Sequence, residues 1–170
     1  LWFSLWNGRQ FIRASAPVSC PAGGRLYHLR EAPDGSLWCV GIGTVVRWNR
    51  QAGKWTLYPQ LPPPQGTDKQ GRVWFSGEGR VVIQADGHFQ TLAPGKFQAL
   101  SEAGQAMIWD RARNELTVTD PQNPALRTTV ETGCNTIDSI KSGKNGDFWI
   151  LGQDQDGNGV VAHYENGKTK

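Results

Sequence analysis

Asp34-Gly35-Ser36-Leu37-Trp38-Cys39-Val40-Gly41 reads as a tight turn running into a short buried strand. Asp-Gly tolerates positive φ, and Leu-Trp-Cys-Val supplies strand-forming bulk. The phrase recurs as Asp68-Lys69-Gln70-Gly71-Arg72-Val73-Trp74-Phe75-Ser76-Gly77, as Glu102-Ala103-Gly104-Gln105-Ala106-Met107-Ile108-Trp109-Asp110, and as Lys144-Asn145-Gly146-Asp147-Phe148-Trp149-Ile150-Leu151-Gly152. A truncated copy, Leu1-Trp2-Phe3-Ser4, opens the chain. The tryptophans at 2, 38, 74, 109 and 149 are spaced by 36, 36, 35 and 40 residues. A turn and an aromatic strand at a near-constant period mark a stacked or radial repeat.

Around those strands lie others of four to six residues. The second repeat is the fullest, with 25–30, 37–40, 44–49 and 54–58, and turns at Asp34-Gly35 and Gln51-Ala52-Gly53. Residues 1–16 read as three short strands, and 17–24 as a loop. Leu61-Pro62-Pro63-Pro64 obstructs ladder hydrogen bonding, so the first strand of the third repeat is expected to be short or missing. The fifth repeat ends at Asn166-Gly167 with only a stub of a fourth strand. No stretch keeps a 3.6-residue period, so helix should be scarce.

Four strands per repeat of about 36 residues is the pattern of a β-propeller blade. The expected fold is all-β, a β-propeller of four-stranded antiparallel blades. About five blades are present, as part of a larger or incompletely closed ring. The whole of 1–170 is read as one domain, with repeats at 1–16, 25–59, 65–93, 96–132 and 135–170. One such sheet cannot cover both its apolar faces, but neighbouring sheets can cover one another. Trp2, Trp38, Trp74, Trp109 and Trp149 are therefore expected to pack between blades.

The 170 residues include 21 Gly, 10 Pro and 8 Trp, which suits a turn-rich β protein. The net charge of +3 is unevenly spread. Six arginines face Glu31 and Asp34 in residues 1–50, and ten acids face seven bases in 101–170. No dense basic stripe points to nucleic acid. No run of about 18 apolar residues points to a membrane span. Residue 1 is not Met and falls inside a repeat, so a mature, excised or partial chain is expected. Cys39 should be a small buried hydrophobe. Cys20 and Cys134 sit in turn-like contexts and would pair only if the fold joined those loops.

Pro33-Asp34-Gly35-Ser36-Leu37-Trp38, with Val45-Val46-Arg47-Trp48-Asn49 and Gly53-Lys54-Trp55-Thr56-Leu57-Tyr58, resembles the repeat of two-component regulator propellers. Gln70-Gly71-Arg72-Val73-Trp74-Phe75 is similar to streptogramin lyase-like propellers, and Phe89-Gln90-Thr91-Leu92-Ala93-Pro94-Gly95-Lys96-Phe97 to tectonin repeats. These resemblances imply periplasmic sensing, antibiotic ring opening or sugar binding, and a periplasmic or secreted location. The shared motif is a blade motif, so no catalytic residue is carried over from any of the three.

His28, His88 and His163 lie in different repeats without a ligand-spaced partner and read as surface or edge residues. Asp154, Asp156 and Asn158, with Gly157 between them, match part of a calcium loop, and any ion there would be structural. The same residues also make an ordinary hairpin turn. The weightiest reading is a non-catalytic scaffold that binds a protein partner, a small ligand or a glycan on its face, as the sensor portion of a larger extracytoplasmic protein. Its candidate contacts are Trp6, Arg9, Trp48, Trp55 and Tyr58. A lyase- or lactonase-like enzyme is the alternative, and a tectonin-type lectin the second. Loops 41–44, 77–80, 110–115 and 152–159 differ in length and chemistry, which counts against a multivalent lectin.

Overall fold

A computed structural model describes residues 2–6, 9–15, 27–41, 43–77 and 79–170. The chain divides into two compact units, Leu1–Pro64 and Gln65–Lys170. All the described regular structure is β.

The first unit holds two sheets. Strands β1 (Trp2–Trp6) and β2 (Phe11–Ser15) form a hairpin in the register Trp2 with Ser15 to Trp6 with Phe11. Two strands thus occupy the stretch read as three. The second sheet is a meander of β3 (Tyr27–Glu31), β4 (Leu37–Gly41), β5 (Thr44–Asn49) and β6 (Lys54–Tyr58), as its alternating segments predict. All five residues of β4 are buried, Cys39 among them.

The second unit holds three more four-stranded meanders. The third sheet comprises β7 (Pro64–Thr67), β8 (Val73–Gly77), β9 (Arg80–Ala85) and β10 (His88–Pro94). Its first strand is short, one of the two outcomes expected, and starts on the last proline of the run. It lies at the sheet's edge, where a missing backbone N–H leaves no ladder bond unmade. The fourth sheet comprises β11 (Lys96–Leu100), β12 (Ala106–Asp110), β13 (Glu115–Thr119) and β14 (Arg127–Thr129). The fifth comprises β15 (Thr136–Ser142), β16 (Phe148–Gln153), β17 (Gly159–Glu165) and β18 (Lys168–Thr169), the last being the expected stub.

One turn recurs before the second strands. The residue three before the glycine donates its N–H to the carbonyl four residues on, and accepts the glycine N–H. Ala32, Asp68 and Ser101 do this with Gly35, Gly71 and Gly104, all at φ between 72° and 86°. Asp68 adds its side chain. Oδ1 accepts from the N–H of Gln70 at 3.0 Å and of Arg72 at 2.9 Å, and Oδ2 from Arg72 Nε at 2.6 Å and Trp74 Nε1 at 2.8 Å. Arg72 in turn donates to the carbonyl of Pro121 at 2.8 Å, tying the third sheet to the fourth sheet's β13–β14 loop.

Sheets of the second unit pack face to face. Trp74, Val81 and Ile83 of the third meet Ala106 and Ile108 of the fourth, with Phe97 and Leu100 against them. Met107, Leu116 and Val118 on the fourth sheet's other face meet Phe148, Ile150, Ala162 and Tyr164 of the fifth. Trp38 and Trp74 are fully buried, as expected. Trp109 is only partly buried, because it stands five residues after its turn glycine where the others stand three, and Met107 takes the buried place. Trp149 corrects the expectation outright: it is 45% exposed, and its neighbour Phe148 is buried instead. The side chain of Trp2 lies outside the described residues.

Candidate binding clefts beside the fourth sheet

β13 and β14 pair from Thr117 with Thr129 to Thr119 with Arg127. β14 is the last strand of its sheet and all three of its residues are exposed. Asp120 shapes the loop before it, accepting from the N–H of Gln122 at 2.6 Å and Asn123 at 3.1 Å. At the other end, Asp110 accepts from the N–H of Ala112 at 3.0 Å and lies 3.7 Å from Arg113 Nε, while Asn114 takes φ 50° to close the turn.

Two clefts border this ladder. One, of about 370 Å³, is lined by Ile108, Asp110, Thr117, Leu126 and Arg127 among others. The other, of about 440 Å³, is lined by Leu116, Val130, Cys134 and Ile137 among others. Arg113, Glu115 and Thr129 border both. Thr129 Oγ1 donates to Glu115 Oε1 at 2.9 Å, which holds the carboxylate over the β13–β14 pair. Charges of both signs therefore line two mainly polar clefts beside an edge strand. Nothing in the sequence marks these residues, because they are brought together by a hairpin whose loop spans 120–126.

A second cluster lies on the fifth sheet. His163 Nε2 meets Asp147 Oδ2 at 2.7 Å, and the imidazole stacks on Trp149 with 4.2 Å between centroids and 19° between planes. The hydrogen bond to His163 is the main cause that holds the Asp147 carboxyl below its ordinary range. Trp149 and His163 are directly opposite in the β16–β17 register, so hairpin symmetry was the clue.

The aromatic residues singled out from sequence do not converge. Trp48 and Trp55 are cross-strand partners with ring centroids 6.2 Å apart. Tyr58 pairs with Val45, putting it on the opposite face, where its ring lies 5.3 Å from Trp38. Trp6 pairs with Phe11 at the end of the first hairpin, its side chain outside the described residues, and Arg9 is exposed nearby.

Asp154, Asp156 and Asn158 form the β16–β17 turn. Its bonds repeat those at Asp68. Asp154 N–H donates to Asn158 O at 3.0 Å and Gly157 N–H to Asp154 O at 3.2 Å. Asp154 Oδ1 accepts from the N–H of Asp156 at 2.9 Å and Asn158 at 2.8 Å. Hydrogen bonds from Asn158 hold its carboxyl below the ordinary range. Cys134 is a free thiol, and Cys20 lies outside the described residues.

No protein-family model matches the chain, and no curated protein matches it in sequence. Solved structures do. A virginiamycin B lyase from Staphylococcus aureus is similar over 94% of this chain and 62% of that one, at 14% identity and a TM-score of 0.59. A streptogramin B lyase is similar over 96% and 61%, at 18% identity and 0.57. YCF48 bound to D1 peptide is similar over 96% and 56%, at 14% identity and 0.57. The repeated four-stranded meanders and these similarities define a β-propeller repeat protein. The chain spans about three fifths of the length of the lyases it matches.

Proposed function

We propose that this chain is a non-catalytic binding propeller that takes an extended peptide segment of a protein partner along β14. The observation that carries the reading is the open edge of β14 with a cleft on either side and Arg113, Glu115 and Thr129 bordering both. An edge strand offers unpaired backbone groups, and flanking pockets select alternate side chains. Asp110, Glu115, Arg113 and Arg127 suit a segment carrying charges of both signs. The likeness to YCF48, which was solved with a peptide, agrees with this reading. The role fits the sensor portion of a larger extracytoplasmic protein, in the periplasm or secreted.

A random peptide library displayed on phage tests the proposal. Peptides enriched on the chain should bind at least tenfold more weakly to the double variant Arg113→Ala, Arg127→Ala, whose thermal midpoint should stay unchanged. No enrichment, or equal binding to the variant, would overturn it. The lyase reading rests on the likeness to the two lyases. Incubation with quinupristin, the molecule present with an inactive form of one of them, decides it: a linearised product would favour the enzyme. A structural calcium ion at Asp154, Asp156 and Asn158 is also proposed from the spacing. It would compete with the amide donors on Asp154, and a rise in thermal midpoint in millimolar calcium, lost in Asp156→Asn, would support it.

A further inference from the structure

The edge of β14 presents its backbone in a fixed pattern. Val130 N–H donates to the Leu116 carbonyl at 2.8 Å, and Asp120 N–H to that of Leu126 at 2.9 Å. These bonds continue the ladder that runs from Thr117 with Thr129 to Thr119 with Arg127. Backbone groups of an antiparallel strand alternate in direction, so Leu126, Thr128 and Val130 turn theirs toward β13. The N–H and C=O groups of Arg127 and Thr129 therefore point away from the sheet, where β14 has no further strand beside it.

Side chains divide by the same alternation. Thr129 lies opposite Thr117 and Arg127 opposite Thr119, on the face that also carries Glu115 and its register partner Asp110. Thr128 lies on the other face, with Leu116 and Val130. Charge on the first face is ordered along the strand. At the Thr129 end stand the carboxylates of Glu115 and Asp110, and Arg113 Nε lies 3.7 Å from Asp110. Glu115 takes the Thr129 hydroxyl at 2.9 Å and, among the described residues, has no cation against it. Arg127, two positions away, is exposed and makes no ion pair among the described residues. One end of the face is thus short of a cation and the other short of an anion.

We propose, on the basis of the peptide-binding reading above, that the partner segment pairs antiparallel to β14 and carries a basic, an aliphatic and an acidic residue in that order from N to C. The basic residue lies opposite Thr129 and reaches across it to Glu115. Strands about 4.8 Å apart put that carboxylate within the span of a Lys or Arg side chain. The acidic residue lies opposite Arg127. The residue between them lies opposite Thr128 and turns toward the cleft that Val130 and Ile137 line. Antiparallel pairing is favoured because Arg127 and Thr129 can each exchange two bonds with the residue opposite, and parallel ladders are less stable per residue. The reverse order would set lysine on Arg127 and a carboxylate on Glu115, opposing like charges at both positions.

Fluorescence anisotropy of capped nonapeptides on the full chain tests this. A peptide with Lys-Val-Asp at the centre of a Thr and Ser frame should bind about tenfold more tightly than one with Asp-Val-Lys there. Arg127→Glu, with an unchanged thermal midpoint, should instead prefer Lys-Val-Lys to Lys-Val-Asp. N-methylation of the peptide's lysine should abolish binding, because its N–H meets the Thr129 carbonyl, and N-methylation of its valine should not. Equal binding of the two orders, tighter binding of the reversed one, or the opposite N-methylation pattern would overturn the motif. So would library peptides that bind without this order of charges, and the peptide-binding reading would then stand. A library with no enriched peptide overturns that reading, and the motif with it.

Discussion

Asp68 ties the turn before β8 to the guanidinium and the indole that follow it. Its carboxylate is wholly buried and meets two backbone N–H groups, the Arg72 guanidinium and the Trp74 indole. Removing one partner of a buried ion pair leaves the other charge without compensation. Asp68→Ala should therefore cost about 3–5 kcal/mol in urea denaturation. The acidic residue in the opening motif, Asp34, is more exposed. Burial alone would raise its carboxyl, but hydrogen bonds from Ser36 and Arg47 outweigh it and hold it below the ordinary value. A depressed carboxyl contributes stability that is present above its ordinary pKa and lost as pH falls through the folded one. The thermal midpoint should thus fall below about pH 4, and less steeply in Asp34→Asn. A midpoint insensitive to pH there would contradict the assignment.

Elements were legible where local chemistry decides them. The four strands of the second sheet were readable because each is an alternating or apolar run between glycine turns. The first strand of the third sheet was legible only as short or missing, because a proline run forbids a central strand but tolerates an edge one, and edge position is a tertiary fact. The calcium-like spacing at 154–158 shows the opposite ambiguity. The same Asp and Gly positions build the hydrogen-bonded turn at 68–72, so composition cannot separate ion from turn. The clefts beside β14 left no trace in the sequence, since they depend on where a seven-residue loop returns the strand. Close approach between elements is equally silent. Gly152 lies against the carbonyl of Thr136 and the thiol of Cys134, where the register of β15 shifts between Ile137 and Ser139. A Cβ there would overlap backbone. Gly152→Ala should cost about 3 kcal/mol, the upper end for overpacking. Gly159→Ala meets open space, and its unfolding midpoint should be nearly unchanged.

Within residues 65–170, stability rests on aromatic and aliphatic side chains that each sheet offers to the next. The tryptophan period announced this arrangement. It could not tell which copies are covered, because covering belongs to the neighbouring sheet and not to the motif. Trp74→Ala should cost about 3–5 kcal/mol, as for other large buried aromatics. Trp149→Ala, on the uncovered face, should cost less than about 1 kcal/mol. The most direct measurement is residue-resolved tryptophan oxidation of the native chain. Serial sheet packing predicts that Trp74 resists the reagent while Trp149 reacts quickly. Trp74 reacting as fast as Trp149 would contradict it.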